Sequence, residues 1–435
     1  MLTQEENERL TRVGPGTPMG ALMRRYWQPV AAASEMSERW TKSVRLLGES
    51  LVLFKDRSGR FGLIEEACPH RRASFLYGIP QADGIRCPYH GWQFDGTGKC
   101  LDQPNEPADS TFKDRVKIAG YPVEERGGLL WAYMGPLPAP NVPPLAGIDS
   151  PHAIRLLGSA VIPCNWLQIM ENSVDAVHTE WLHGHLFEFV LEHKNFKTKF
   201  TRKHLKTAFD EFPYGIIKRR VIEGHTEEGD DWKIGHPVVF PTTLLVGNAS
   251  EEACHMRYQF RVPMDDTHTL HLWYHVIVPP AELTIPAHLA GTVHTYDVPY
   301  TDERGGYFLD SIHAQDIMAW ITQGPIADRS LEALGSTDRG VTVYRNMLRR
   351  ELKRIENGED PMNVFRGAEP ETMELPLEFE RTQGDLSPDG ARGEGFAITN
   401  LRAMFSRHEG RFCPLGPEIV DVFVQHRQRE PAGVA

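Results

Sequence analysis

Long apolar runs are missing from this 435-residue chain. No stretch of about 18 consecutive apolar residues occurs, which argues against a transmembrane helix. Basic residues are outnumbered, 47 against 59 acidic, for a net charge of −12. That balance makes nucleic acid an unsuitable partner. Cysteine is scarce, six in all, and Cys100, Cys164, Cys254 and Cys413 are too scattered for a disulfide framework, so free core thiols are expected. The opening MLTQEENERL is charged rather than signal-like, and a cytoplasmic location is the expectation. No internal repeat is visible. What remains is ordinary for a globular protein, 40% hydrophobic and 24% charged, with length enough for two domains.

Against this plain background two short runs stand out, Cys68-Pro69-His70 and Cys87-Pro88-Tyr89-His90. Each offers one thiolate and one imidazole. Paired cysteines and histidines can hold structural zinc, but Cys-x-His is tighter than the usual zinc knuckle. A soft and a borderline ligand in each pair suit a [2Fe–2S] cluster instead, two thiolates on one iron and two histidines on the other. Neutral imidazoles raise the reduction potential of such a cluster. Pro69, Pro88 and Gly91 fit two tight loops around it.

The run Gly14-Pro-Gly-Thr-Pro-Met-Gly20 superficially matches a dinucleotide loop, but no hydrophobic strand precedes it. Thr17 as N-cap and Pro18 as first helical residue read better as a helix start. Short β runs follow at 44–47, 51–54 and 61–64, with a hairpin near 92–98 and strands at 121–124 and 129–133. Five prolines between 136 and 144 read as an extended connector. Beyond it the pattern mixes a helix at about 166–182, strand-like runs at 238–240, 258–262 and 269–276, C-terminal helices, and a loop rich in Gly, Pro and acid at 356–395. The fold expected is α+β: an N-terminal helical segment at 1–40, a small antiparallel-β domain at 41–140 carrying the cluster pairs, and a larger α+β domain at 141–435 with an antiparallel sheet and surrounding helices.

On the helix near 166–182, a wheel at about 100° per residue gathers Trp166, Met170, Val174, Val177 and Trp181 as a core stripe. Gln168, Glu171, Asp175 and His178 fall opposite, where a solvated face is the plain alternative. His178 and His183 lie five positions apart, about 140° on a regular helix. For both to reach one metal, the helix must loosen or stop between them, an irregularity that recurs at functional sites.

The order of these features, cluster pairs first and then Asn165-x5-Glu171-Asn172-x2-Asp175-x2-His178-x4-His183, resembles the Rieske non-haem iron oxygenases. The resemblance covers nearly the whole chain and makes 41–140 its Rieske [2Fe–2S] domain. It implies that His178 and His183 bind one mononuclear Fe(II), with open positions for dioxygen. Asp316, in Gln315-Asp316-Ile-Met-Ala-Trp320, matches the family's carboxylate ligand; Asp310 and Asp328 are the alternatives. It further implies a homotrimer, with Asp175 linking His90 of one subunit to His178 of the next. Electrons would come from a separate flavin-containing NAD(P)H reductase, with or without a ferredoxin.

The N-terminal Val13-Gly-Pro-Gly-Thr-Pro-Met-Gly20, Cys68-Pro-His-Arg-Arg72 and Gln323-Gly-Pro-Ile-Ala-Asp-Arg329 resemble the phthalate-dioxygenase-like branch. Residues 209–220 and 231–235 resemble its O-demethylases. Oxidation of an aromatic acid is implied, by O-demethylation of a lignin-derived methoxylated substrate with formaldehyde release, or by ring dihydroxylation to a cis-diol. An aromatic acid needs a cation. Lys218, Arg219 and Arg220 are candidates, Lys218 and Arg220 sharing one face of a strand, and Asn172 is a further candidate contact. Trp232, Phe240 and Trp273 are expected to line the pocket or pack in the core. The competing reading from a different class is a Rieske electron carrier without oxygenase chemistry, which would not need His178, His183 and Asp316 together.

Overall fold

The computed structural model describes the chain apart from residues 197–198, 200, 250–252, 369, 378–395 and 430–435. Two helices open it. In Gln4–Thr11 the Thr3 side chain and Glu6 form a reciprocal capping box, satisfying two otherwise orphaned N–H groups. Pro18–Met23 starts on the Thr17 cap with proline in its first turn. A Cβ at Gly20 would stand 2.4 Å from the Gly14 carbonyl oxygen, so this glycine seats the helix against its own lead-in. The glycine-rich motif is thus a packed helix start. The segment then departs from helix: Trp27–Ala32 is a fully buried strand. It pairs with Leu129–Tyr133, which also pairs with Val123–Arg126, so the chain before residue 40 is woven into the end of the small β region.

Two four-stranded antiparallel sheets make up that region. One orders Thr41–Leu46, Glu49–Lys55, Phe61–Glu65 and Gly120–Tyr121; the other orders Ile79–Gln81, Gly84–Arg86, Gln93–Phe94 and Cys100–Asp102. Val52, Phe54, Ile64, Phe75, Ile85, Trp92 and Phe94 close a small core between them, and Cys68 and Cys87 belong to it.

The larger region is built on an eight-stranded sheet. In spatial order its strands are His204–Phe212, Gly215–Ile222, His236–Val239, Thr243–Ala249, Cys254–Pro263, Thr269–Val278, Ile154–Ile162 and Val293–Asp297. All neighbours are antiparallel except the last pair, where Val293–Asp297 runs parallel to Ile154–Ile162. The expected antiparallel sheet therefore has one parallel edge, made by a long connection that returns the chain in the same direction. Helices Trp166–Ser173, Ile312–Thr322, Arg339–Glu356, Phe396–Arg407 and Gly416–Arg429 accompany the sheet. The described residues between 357 and 377 are irregular; the rest of the loop expected at 356–395 lies outside the described residues. All six cysteines are free thiols, and among the described residues no helix is long and apolar enough to cross a membrane.

Candidate metal centres and the catalytic cavity

In the small region the two Cys/His runs fold into matched loops. The Cys68 amide donates to the Ala73 carbonyl and its own carbonyl accepts from the Arg72 amide. At Cys87 the same pattern recurs, with Trp92 and Gly91 in those places. Each loop closes on a left-handed residue, Arg72 at φ 62° and Gly91 at φ 76°, the conformation that reverses a chain in so few residues. Both cysteines are buried, whereas His70 is exposed and His90 half-buried. The two imidazole centroids lie 4.5 Å apart. His70 stacks on Trp92 at 4.6 Å, and Arg71 sits over the Tyr89 ring.

Burial, with Cys87 alongside, pushes the Cys68 thiol up to about 12. A thiol so placed ionises at neutral pH when a cation takes the proton's position. Two buried thiols on one side and two converging imidazoles on the other fit a Rieske cluster, and the ring edges left at the surface suit electron transfer.

In the larger region the His178 and His183 segment is irregular. The helix Trp166–Ser173 is capped by Asn165, whose Oδ1 accepts from the Leu167 amide. It stops at Val174. A short turn, His178–Glu180, leads into a π-helical turn at Trp181–His185 and then the helix Leu186–His193. The wheel for one continuous helix therefore fails beyond Val174: Trp181 is 65% exposed instead of lying in the core. Gln168, placed on the opposite face, is buried. Its Nε2 donates to the Trp320 and Gly324 carbonyls, and its Oε1 accepts from the Ala327 amide. That side chain locks the segment to the helix Ile312–Thr322.

The lock brings Asp316 to the two histidines. Asp316 Oδ1 is 3.1 Å from His183 Nε2 and 3.7 Å from His178 Nε2. One ligand atom from each of the three lies within 4.8 Å of the others. Asp310 instead pairs with Lys194 and Arg411, and Asp328 accepts from Ser330 and Gln4, so neither alternative reaches the histidines.

Ring tautomers follow from the neighbours. Gln315 Nε2 donates to the Leu309 carbonyl, which turns Oε1 toward His183 Nδ1 at 2.8 Å. In the neutral ring Nδ1 therefore carries the hydrogen and Nε2 the lone pair; burial would lower the His183 pKa, but Asp316 beside Nε2 outweighs it and the net direction is up. His178 Nδ1 faces Asp175 Oδ2 at 3.4 Å, long for a hydrogen bond, and its Nε2 is likewise turned to Asp316. Asp316 Oδ1 is buried with no hydrogen-bond donor. Burial alone would raise the Asp316 carboxyl, but His183 outweighs it and the net direction is down. Asp175 is also held low, burial being outweighed by His178 and by the Val177 amide on Oδ1. Two imidazole Nε2 atoms and one carboxylate converging on one point fit a divalent iron with open positions.

A cavity of about 520 Å³ opens onto these three residues. Asn172, Lys218 and Arg220 line it, as does Trp320. Lys218 Nζ donates to the Asp175 carbonyl, and Arg220 pairs with Asp231 at 2.9 Å. Arg219 lies on the other face, paired with Asp210. Trp232, Phe240 and Trp273 are absent from the lining: Lys206 lies over Trp232, Phe240 packs on Tyr26 and Tyr344, and Trp273 is buried under His271. The sequence reading missed Arg257, Gln259 and Arg261, which line the cavity from alternate positions of Cys254–Pro263. Their period of two was visible, but not the covering of that face.

A family model for the Rieske [2Fe–2S] domain matches residues 26–122, and one described as LigXa C-terminal domain like matches residues 303–375. The 5,5'-dehydrodivanillate O-demethylase oxygenase subunit of Sphingobium sp. (strain SYK-6) is 40% identical over 84% of this chain and 84% of that protein. The phthalate 4,5-dioxygenase oxygenase subunit of Pseudomonas putida is 35% identical over 85% of this chain and 90% of its own length. Among solved structures, NdmA of Pseudomonas putida CBB5 superimposes with a TM-score of 0.57 at 20% identity, covering 80% of this chain and 98% of that one, which supports the fold alone. Oxygenase subunits of this kind take their electrons from a separate protein. With a Rieske domain followed by a second metal cradle, and with relatives of this similarity spanning most of its length, the chain belongs to the Rieske non-haem iron oxygenases.

Proposed function

We propose that the chain is the terminal oxygenase of an aromatic O-demethylase, acting on a methoxylated, lignin-derived aromatic acid. The observation that carries this reading is a cation-rich cavity opening onto His178, His183 and Asp316. The similarity to a dehydrodivanillate O-demethylase subunit supports the substrate class.

In this reading Cys68, Cys87, His70 and His90 hold the cluster, and His178, His183 and Asp316 hold the iron. With both centres filled, reductase-derived electrons and dioxygen are used to oxidise a substrate C–H bond. Gln315 keeps the His183 lone pair aimed at the metal position by accepting the Nδ1 hydrogen. Asp175, 3.4 Å from His178 Nδ1, is placed to support that ring, and its remaining, partly exposed face is assigned to the partner subunit's His90 across a homotrimer interface. The electron donor is a flavin-containing NAD(P)H reductase, with or without a ferredoxin.

The cavity cations draw in an aromatic carboxylate and set the methoxy group beside the iron. Hydroxylating its methyl carbon gives a hemiacetal, which collapses to phenol and formaldehyde. Overall, methyl ether, O2, two electrons and two protons give phenol, formaldehyde and water. Ring dihydroxylation is the second reading, favoured by the similarity to a phthalate dioxygenase subunit. Turnover with a surrogate reductase and a panel of methoxylated aromatic acids and phthalates separates them. Stoichiometric formaldehyde with a demethylated phenol is expected; a cis-diol from phthalate, with no formaldehyde from any methoxy acid, would replace the first reading by the second.

A further inference from the structure

Among the cavity arginines, Arg261 differs from Arg220 and Arg257 in having no counter-charge. Arg220 faces Asp231, and Arg257 faces Glu409 at 3.0 Å. Arg261 is 1% exposed, yet no carboxylate of the described residues lies within ion-pair distance of it. Its Nη1 and Nη2 donate to the backbone and side-chain oxygens of Gln259, at 2.9 and 3.0 Å. These bonds fix the plane of the guanidinium. Its Nε has no partner, and the fork has five N–H groups, so donors remain unused on a rigid, buried cation.

Burying an uncompensated charge is costly. Burial does drag Arg261 down, to about 9, which still leaves it charged at neutral pH. Asp316 is the acid whose field reaches it most, and Asp316 is committed to the metal cradle. A second anion is needed, and the cavity on which Arg261 opens admits one from outside.

We propose that Arg261 is the carboxylate anchor of the substrate, gripping one acid group of the aromatic ligand while Gln259 holds the guanidinium in register. The assignment rests on the aromatic-acid reading above and deepens it. It makes Arg261, more than Lys218 or Arg220, the residue that selects acids over neutral aromatics. Lys218 donates to the Asp175 main-chain carbonyl and Arg220 is paired with the Asp231 carboxylate; the Arg261 Nε has no partner.

The test is equilibrium binding to the enzyme with both metal centres filled and no reductase present, so that nothing turns over. Titration calorimetry compares 5,5'-dehydrodivanillate with its uncharged bis-amide of the same shape. Arg261→Gln should weaken the acid by about tenfold or more, the scale of a lost charge-assisted bond in a buried site, while amide affinity and iron content stay at wild-type values. Arg261→Lys should recover part of the loss. Acid affinity within twofold of wild type in Arg261→Gln, or equal loss for acid and amide, would overturn the assignment while leaving the aromatic-acid reading intact. Failure of the wild-type enzyme to bind any aromatic acid would overturn both. Should Arg261→Gln not fold, a crystal structure of the wild-type acid complex decides: a carboxylate on the Arg261 guanidinium supports the anchor, and one seated elsewhere removes it.

Discussion

Asp175 faces the His178 ring with one oxygen at 3.4 Å and accepts from the Val177 amide with the other. Replacing it by Asn keeps the shape and the Val177 bond but removes the charge on which the proposed bridge depends. Asp175→Asn should retain full iron and the cluster's visible spectrum yet lose about a hundredfold in turnover, the range for a residue supporting metal ligands. Normal single-turnover product in that variant would refute the bridge role. Gln315 offers a contrasting case. Gln315→Ala leaves the His183 ring free to rotate, so the iron should leak to a chelator about ten- to a hundredfold more readily. Metal analysis after dialysis reads this directly, and wild-type retention would show that His183 needs no support.

Buried histidines give the molecule a second kind of residue-scale sensitivity. His271 is fully buried with neither ring nitrogen partnered. Burial, then Arg261, holds it well below its ordinary 6.5; burial and His275 do the same to His255. An unfolded histidine takes its proton near 6.5 while these refuse it, so below that pH protons favour the unfolded chain. The contribution of these two histidines should be level above pH 6.5 and decline as pH falls beneath it. Glu409 adds to the decline lower down: burial would raise its carboxyl, but Arg257 and His275 hold it well below 4.5, and that stabilisation is lost as pH drops from 4.5 toward the folded value. Melting temperature against pH should fall less steeply in His271→Leu than in wild type; superimposable curves would remove His271 from the account.

At the scale of elements, the segment from Trp166 to His193 shows what a sequence can and cannot convey. The five-residue separation of His178 and His183 demanded an interrupted helix, and the chain does stop at Val174 and widen at Trp181–His185. The wheel assumed regular geometry through that same stretch, so it was sound for Trp166, Met170 and Val174, all buried, and wrong for Trp181. The wide turn can be tested by shortening it. Deleting Leu182 should restore α-helical spacing and swing His183 by about 100°. Iron should then fall from three atoms per chain to the two of the cluster, with the cluster spectrum unchanged. Three irons in the deletion variant would mean that the turn is incidental.

For the whole molecule, legibility followed the distance between the residues involved. The cluster pairs were readable because each ligand set sits in one loop, and the strands around them because their turns are marked by glycine and proline. Asp316 was proposed only through resemblance, since it lies 133 positions beyond His183 and nothing local marks it as a ligand. The cavity was the least readable part. Its cations come from separate strands whose faces are decided by what packs above them, so Arg261 looked like any charged strand residue. Trp273 shows the same dispersal: of the two places open to it, pocket lining or core, it takes the core, stacked against His271. Whole-molecule stoichiometry gives a compact check: iron and sulfide analysis should return three irons and two inorganic sulfides per chain, whereas an electron carrier would return two irons.

The amide of Gln168 holds three backbone groups across the gap between two helices. Segments joined in this way cannot drift apart when a bulky guest enters, so adaptation to new guests falls to the facing strands. Mutations that widen or recolour those strands can change what the enzyme accepts and leave the oxidising machinery intact, which makes them the natural place to redirect it.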